Sequence, residues 1–324
     1  MKTPLILVVG PTASGKSRLA VELGRRFNGE IVSCDSVQVY KYLNIGSAKL
    51  SPAEQGGVRH HLMDLLEPDQ VFTAGDYLRI GRQVVREIRD RGRIPIVVGG
   101  TGLYLRALLE GLFEGPARSD KLRSKLNDLA ESKGDLHLHE ILERVDPASA
   151  ERIAVNDRSK MIRAIEVFLL TSRPLSWHFR ASKNPLQGFE VLKIGLNPPR
   201  PSLYELINRR VDQMFSDGLV EEVQSILSRG FKLGVKAFEA LGYVQVARVL
   251  RGEVGLSEAV TLTKRDTRRY AKRQLTWFRQ EKGCVWHHAT GADPQLQTAV
   301  KMAVATFLKQ PEFKFASADF TTRR

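Results

Sequence analysis

Residues 10–17, Gly-Pro-Thr-Ala-Ser-Gly-Lys-Ser, have the spacing GxxxxGK[ST]. A turn of this kind lets backbone N–H groups close around phosphate oxygens, and a helix opening behind it adds the partial positive charge of its N-terminus. Lys16 then neutralises the phosphates and the Ser17 hydroxyl serves as a ligand for Mg²⁺. The pattern specifies phosphate binding and leaves the phosphate compound open. Asp35 opens the run Asp35-Ser36-Val37-Gln38-Val39-Tyr40. A carboxylate there can accept a proton from a nucleophile, help hold Mg²⁺, or cap the following turn. Thr101 sits in Gly99-Gly100-Thr101-Gly102 and can offer its hydroxyl to a phosphate or bridging oxygen, or be a turn residue.

These residues need a frame that gathers them. Leu5–Val9 is a continuous apolar run with the character of a buried parallel strand, followed by the glycine turn and a helix over Lys16–Arg26. Ile31–Cys34 and Ile94–Val98 read as further strands, the latter entered from a basic helix over Tyr77–Arg91. Strands alternating with helices predict a doubly wound parallel α/β sheet of the phosphate-loop NTPase kind, whose ligands bind beyond the carboxyl ends of the strands. Gly10–Ser17, Asp35 and Thr101 all fall at such ends.

Between residues 120 and 188 the pattern changes. Leu122, Leu126 and Leu129, and again Ile162, Ile165 and Leu169, follow helical spacing, with Asn156-Asp157 as an N-cap. The expected organisation is a core of residues 1–119 plus 189–310, a helical insertion at 120–188 closed by a loop over Ser172–Gly188, and a disordered tail at 311–324. Strand character resumes at Phe189–Leu196 and briefly at Cys284–His287, with a last helix near Pro294–Lys309.

Composition narrows the class. The chain has 324 residues, 42% of them hydrophobic, so it can bury a sizeable core without disulfides. Apolar runs are too short for a membrane span or a signal peptide, and two distant cysteines, Cys34 and Cys284, argue for a reduced cytoplasmic setting. His60-His61 and His287-His288 are adjacent pairs, which within any strand would point to opposite faces, and so are poor metal ligands. The strand Ile94–Val98 ends without the carboxylate that nucleotide-hydrolysing machines use for Mg²⁺, and Asp64 is a weak substitute, which disfavours a motor ATPase or GTPase.

The formal net charge is +14, and its distribution is uneven. Residues 257–290 hold eight basic and three acidic side chains. Arg265, Arg269, Lys272, Thr276 and Arg279 fall on one helical face, with Tyr270, Trp277 and Phe278 interleaved. A cationic stripe of this kind suits a nucleic-acid backbone.

Taken in order, the segments 10–17, 35–40, 99–104 (Gly-Gly-Thr-Gly-Leu-Tyr), 156–157, 163–167 (Arg-Ala-Ile-Glu-Val), 242–243 and 272–279 (Lys-Arg-Gln-Leu-Thr-Trp-Phe-Arg) strongly resemble the bacterial tRNA dimethylallyltransferase family, the tRNA isopentenyltransferases. The resemblance spans about residues 3–309. It implies that the loop Gly10, Pro11, Thr12, Ala13, Ser14, Gly15, Lys16 and Ser17 binds the diphosphate of dimethylallyl diphosphate with Mg²⁺. The 6-amino group of the adenosine just 3′ of the anticodon then attacks the allylic carbon. Asp35 is implied as general base and Thr101 as a contact to the reacting groups. Contacts to the tRNA anticodon stem-loop are implied at Asp35, Ser36, Val37, Gln38 and Thr101. Others follow at Arg123, at Ser159, Lys160, Met161, Ile162 and Arg163, and at Lys272, Arg273, Gln274 and Arg279. The expected protein is a cytoplasmic monomer with no membrane association. Rival readings are an isopentenyltransferase acting on free adenylate and a phosphate-loop small-molecule kinase.

Overall fold

A computed structural model describes residues 2–113, 115–181, 184–310 and Phe313. The tail expected to be disordered, 311–324, lies outside the described residues except for Phe313. The chain divides into two compact units, one formed by Met1–Leu108 with Leu186–Arg324 and the other by Leu109–Pro185.

The first unit is built on six parallel strands: β1 (Thr3–Val9), β2 (Gly29–Cys34), β3 (His60–His61), β4 (Ile94–Gly99), β5 (Phe189–Leu196) and β6 (Cys284–His287). Their order across the sheet is β3-β2-β4-β1-β5-β6. Before the second unit come the helices α1 (Lys16–Arg26), α2 (Ala74–Asp90) and α3 (Gly102–Glu110). The second unit contains α4 (Asp120–Lys133), α5 (Asp135–Val145), α6 (Pro147–Ala150), α7 (Arg158–Thr171) and α8 (Leu175–Ala181). The chain then returns to the first unit with α9 (Arg200–Ser216), α10 (Leu219–Ser228), α11 (Tyr243–Leu250), α12 (Leu256–Phe278) and α13 (Pro294–Leu308).

The central position of β1, between β4 and β5, explains its unbroken apolar run. Residues Leu5–Val9 are each at most 1% exposed because both sheet faces are covered. On one face Ile6 and Val8 pack with Leu19 and Leu23 of α1 and Val300 and Val304 of α13. This packing aims the N-terminus of α1 at the carboxyl edge of the sheet. Gly15 adopts φ +83°, and a Cβ there would lie 2.9 Å from the Gly291 nitrogen. The turn therefore needs glycine on two counts.

Helix α2 begins three residues before the expected Tyr77, because Thr73 and Asp76 form a reciprocal capping box. The two-residue strand β3 has no counterpart among the sequence expectations. It is held by pairing with Ile31 and Val32, not by any apolar run of its own.

In the second unit Leu126 of α4, Leu138 and Leu142 of α5, and Met161, Ile162 and Ile165 of α7 form a separate core. Leu169, expected on the same buried face, is 54% exposed. The helical stripe runs off the end of that core one turn early. The expected loop Ser172–Gly188 contains α8, whose Leu175 is buried in the same core. Asp146 Oδ2 accepts a hydrogen bond from the Ser176 N–H, which fixes the first turn of α8.

Candidate active site

Each catalytic candidate of the first unit hangs from the carboxyl end of a strand. The phosphate loop follows β1, Asp35 follows β2, and Thr101 follows β4 by two residues. Parallel register sets Val9 beside Gly99 and Cys34 beside Gly99, so the three turns emerge next to one another. The Thr101 N–H donates to the Cys34 carbonyl at 3.2 Å. In return, the Ser36 N–H donates to Thr101 Oγ1 at 3.2 Å.

A cavity of about 420 Å³ opens at this edge. Its walls include Lys16, Ser17, Asp35, Gln38, Arg210 and Tyr270. A second cavity of about 330 Å³ shares Thr12, Asp35, Arg210 and Tyr270 and adds the apolar side chains Ile207, Val211, Met214 and Leu241. The two volumes thus meet at Asp35.

Lys16 Nζ donates to the Pro11 carbonyl at 2.6 Å, which curls the side chain back over the loop. Burial, and then repulsion from Arg210, lower its pKa from 10.5 to about 7, with Asp35 opposing. Arg210 is itself lowered by burial and supported by Asp35. Its Nη1 donates to Thr12 Oγ1 at 3.2 Å. Two cations facing a shared space, each weakened by desolvation, form a site suited to a multiply charged anion. Ser14 Oγ is fully buried within the loop and has no hydrogen-bond partner among the described residues.

Asp35 Oδ1 accepts from the Val37 N–H at 2.8 Å and the Gln38 N–H at 3.3 Å. The turn-capping role and a role in the cavity therefore coexist in one carboxylate. Among the described residues no hydrogen-bond donor pairs with Oδ2. Gln38 is occupied structurally: its amide oxygen accepts from Ser33 Oγ, and its amide nitrogen donates to the carbonyls of Ser47 and Ala48. Asp64 is tied to Lys49 Nζ at 2.6 Å.

The remaining candidates fall into three environments. On α12, Arg265, Arg269, Lys272, Thr276 and, just past its end, Arg279 all lie on the outward side, as the four/three spacing requires. Arg273 is exposed as well. Gln274 is turned the other way and is 6% exposed, because Ala271, Gln274 and Phe278 form the inward face of α12. Its side chain, expected at an RNA contact, is buried and hydrogen-bonded to the phosphate loop.

In the second unit Ser159 and Lys160 are exposed at the start of α7. Met161 and Ile162, also expected at an RNA contact, are 0% and 4% exposed, with their side chains in the core of this unit. Arg123 and Arg163 converge on the fully buried Glu166. Arg123 Nε and Nη2 each lie 3.0 Å from its carboxylate, and Arg163 Nη1 lies at 2.7 Å. The Ser119 N–H completes the set at 2.8 Å. Burial works to raise the Glu166 pKa, but these four donors prevail and hold it at about 2. Both arginines are therefore anchored before any ligand arrives.

Arg210 and Tyr270 are the site residues that sequence reasoning misses. Arg210 interrupts the apolar stripe Leu203, Ile207, Val211 on α9, and a cation on a buried face is the signal that was available. Tyr270 reads in the sequence only as part of the basic stripe. Burial first, with the Asp35 charge adding, pushes its pKa to about 12, while hydrogen bonding toward Thr101 and Gln274 works the other way.

Known proteins share this arrangement of chain. Residues 38–281 match the family model described as IPP transferase. The chain is 49% identical over 307 residues to a tRNA dimethylallyltransferase of Solibacter usitatus, covering 95% of this chain and 100% of that one. It is 47% identical to one from Geobacter sulfurreducens, covering 88% and 92%. Among solved structures, the tRNA isopentenylpyrophosphate transferase of Bacillus halodurans superposes with TM-score 0.70 at 38% identity, covering 95% and 97%. A eukaryotic dimethylallyltransferase crystallised acting on tRNA superposes with TM-score 0.77 at 27% identity, covering 94% of this chain and 78% of the other.

Proposed function

The chain belongs to the IPP transferase family and is a transferase that moves a prenyl group to tRNA, and from that premise we propose how its own residues carry the reaction. The donor is dimethylallyl diphosphate, seated with its diphosphate on Gly10–Ser17. The acceptor is the 6-amino group of the adenosine 3′-adjacent to the anticodon, brought to Asp35 by flipping out of the anticodon loop. One observation carries the assignment: Lys16, Arg210 and Asp35 line the same cavity, a pair of cations beside a carboxylate.

The bond between the allylic carbon and the bridging diphosphate oxygen breaks while the amine nitrogen bonds to that carbon. Negative charge collects on the departing diphosphate, where Lys16, Arg210 and the loop N–H groups stabilise it in a fixed arrangement. The amine loses one proton, and Asp35 Oδ2 accepts it. Thr101 Oγ1, held by the Ser36 N–H, sits at the same edge to orient the reacting groups. The apolar lining of the adjoining cavity, Ile207, Val211, Met214 and Leu241, matches the hydrocarbon and base faces that must be kept from water.

Magnesium fits the donor set. Ser17 and Asp35 offer hard oxygen atoms, and no group of three His, Cys, Asp or Glu side chains gathers among the described residues. A bound Mg²⁺ would take its other ligands from diphosphate oxygens and water, as that ion ordinarily does, and would neutralise leaving-group charge. RNA contacts are proposed for exposed Lys272, Arg273 and Arg279, for Ser159 and Lys160, and for the outward edges of Arg123 and Arg163. No described helix is long and apolar enough to cross a membrane. With tRNA as substrate the proposed working compartment is the cytoplasm, and the proposed working state is a monomer.

The test is incubation with labelled dimethylallyl diphosphate and unmodified tRNA, with parallel arms offering AMP, or ATP with small acceptors. Label in the RNA at the adenosine beside the anticodon is the expected result. Label in AMP, or ATP consumption without label transfer, would overturn the reading.

A further inference from the structure

Gln274 lies within the stretch of α12 whose neighbours, Lys272 and Arg273, face outward with charge. Its own side chain does something different. Oε1 accepts the Thr12 backbone N–H at 2.8 Å, and Nε2 donates to the Gly100 carbonyl at 2.9 Å. One amide therefore spans the phosphate loop after β1 and the glycine turn after β4. Both groups lie more than 170 positions away in sequence. A Cβ on Gly100 would lie 2.0 Å from Nε2, so the approach depends on glycine at that place. One turn earlier on the same helix, Tyr270 lines the same cavity as Gln274.

We propose that Gln274 is a positioning residue that locks the phosphate loop and the Gly99–Gly102 turn into one rigid edge, and that it makes no contact with RNA. The proposal rests on the reading of this cavity as a diphosphate site. The primary amide of glutamine offers an acceptor and a donor in one plane at the end of a side chain long enough to meet both groups. Glutamate supplies the acceptor for Thr12 but, when ionised, has no proton for the Gly100 carbonyl. Methionine fills the volume and supplies neither. The phosphate loop must present its N–H groups before the anion arrives, so a loop free to turn at Thr12 loses donor affinity and alignment together.

The experiment compares wild type with Gln274→Met, Gln274→Glu and Gly100→Ala. Inorganic diphosphate binding is measured by calorimetry, anticodon stem-loop binding at several salt concentrations, and prenyl transfer by steady-state kinetics. Gln274→Met should weaken diphosphate binding and lower kcat, each by about tenfold. Gln274→Glu should lose at least as much, since its buried negative charge faces the Gly100 carbonyl and the incoming diphosphate, and Gly100→Ala should reproduce the loss from the opposite side. RNA affinity and its salt slope should stay within about twofold of wild type in all three. A global loss of structure would lower every quantity together, and circular dichroism of each variant identifies it. Should Gln274→Met not fold, the loss of diphosphate binding in Gly100→Ala, which keeps the glutamine and adds no charge, decides the same question. Weakened RNA binding with unchanged diphosphate affinity would overturn the proposal and return Gln274 to the RNA interface. If wild type binds diphosphate yet transfers no prenyl group, the functional reading fails instead, and the calorimetric comparison still decides the role of Gln274.

Discussion

Arg210 faces Lys16 across the cavity that both line, and its charge adds to burial in bringing the Lys16 amine down to about 7. Neither cation has a matching anion of its own there beyond Asp35 among the described residues. A diphosphate seated on the loop reverses the balance and returns the Lys16 pKa toward its ordinary value of 10.5. Binding then takes up a proton. The contribution is fully present below about pH 7 and fades as pH rises through the higher pKa of the complex. Calorimetry in buffers of different ionisation enthalpy should show proton uptake at about pH 8 to 9, between the two pKa values, and Lys16→Met should abolish it together with tight donor binding. Uptake that persists in the variant would assign the proton elsewhere.

Asp35 combines a structural and a chemical duty, and two substitutions separate them. Asp35→Asn keeps an acceptor for the Val37 N–H but cannot take the amine proton. Turnover should fall by about 10²–10⁴-fold while RNA affinity stays within a few-fold. Asp35→Ala should add a loss of local order, because the turn at Val37 and Gln38 loses its acceptor. Normal turnover in Asp35→Asn would remove this carboxylate from proton transfer.

The outward charges of α12 predict a salt effect. Lys272 and Arg273 are exposed, and among the described residues neither pairs with a carboxylate. Changing both to alanine should weaken tRNA binding and make its log–log salt slope shallower by about two contacts. Donor affinity should hardly move, since the diphosphate charge is met by Gly10–Ser17. An unchanged slope would leave these residues as ordinary solvated surface.

Glu166 gives the second unit a stability prediction. Its carboxyl pKa is held at about 2 against an ordinary 4.5, so its contribution is complete above about pH 4.5 and is lost as pH falls toward 2. Glu166→Gln leaves the charges of Arg123 and Arg163 without their buried partner and should cost about 3–5 kcal/mol at neutral pH. Chemical denaturation from neutral pH down to about pH 2 checks the sign. The gap between wild type and variant should close on acidification, and a gap independent of pH would mean that packing, not charge, sets the loss.

Local patterns carried much of this molecule. The phosphate loop, the strands after which Asp35 and Thr101 emerge and the exposed stripe of α12 were legible because each depends on spacing within one element. A period of about 2.0 or 3.6 residues is a property of the chain alone. The limits were equally physical. The strand β3 and the helix α8 have weak patterns and exist because neighbouring elements hold them, whereas the early start of α2 rests on the local pair Thr73 and Asp76.

What only the tertiary structure decided is how distant residues divide their duties. Arg210 becomes part of the anion site because α9 packs against α12 through Leu203, Ile207, Val211 and Ala271, which brings its guanidinium to Thr12. Gln274 and Lys272 are two positions apart, yet one is buried on the phosphate loop and the other faces solvent. A helix turns about 100° per residue, so a shared segment assigns no shared role. Met161 and Lys160 divide in the same way on α7, one in the core and one exposed. By itself the sequence determined which chemistry the chain carries, through residue types at fixed short spacings. Which side chains meet across long stretches of chain was settled by packing, because burial rewards whole helix faces and leaves to the fold the choice of what each face meets.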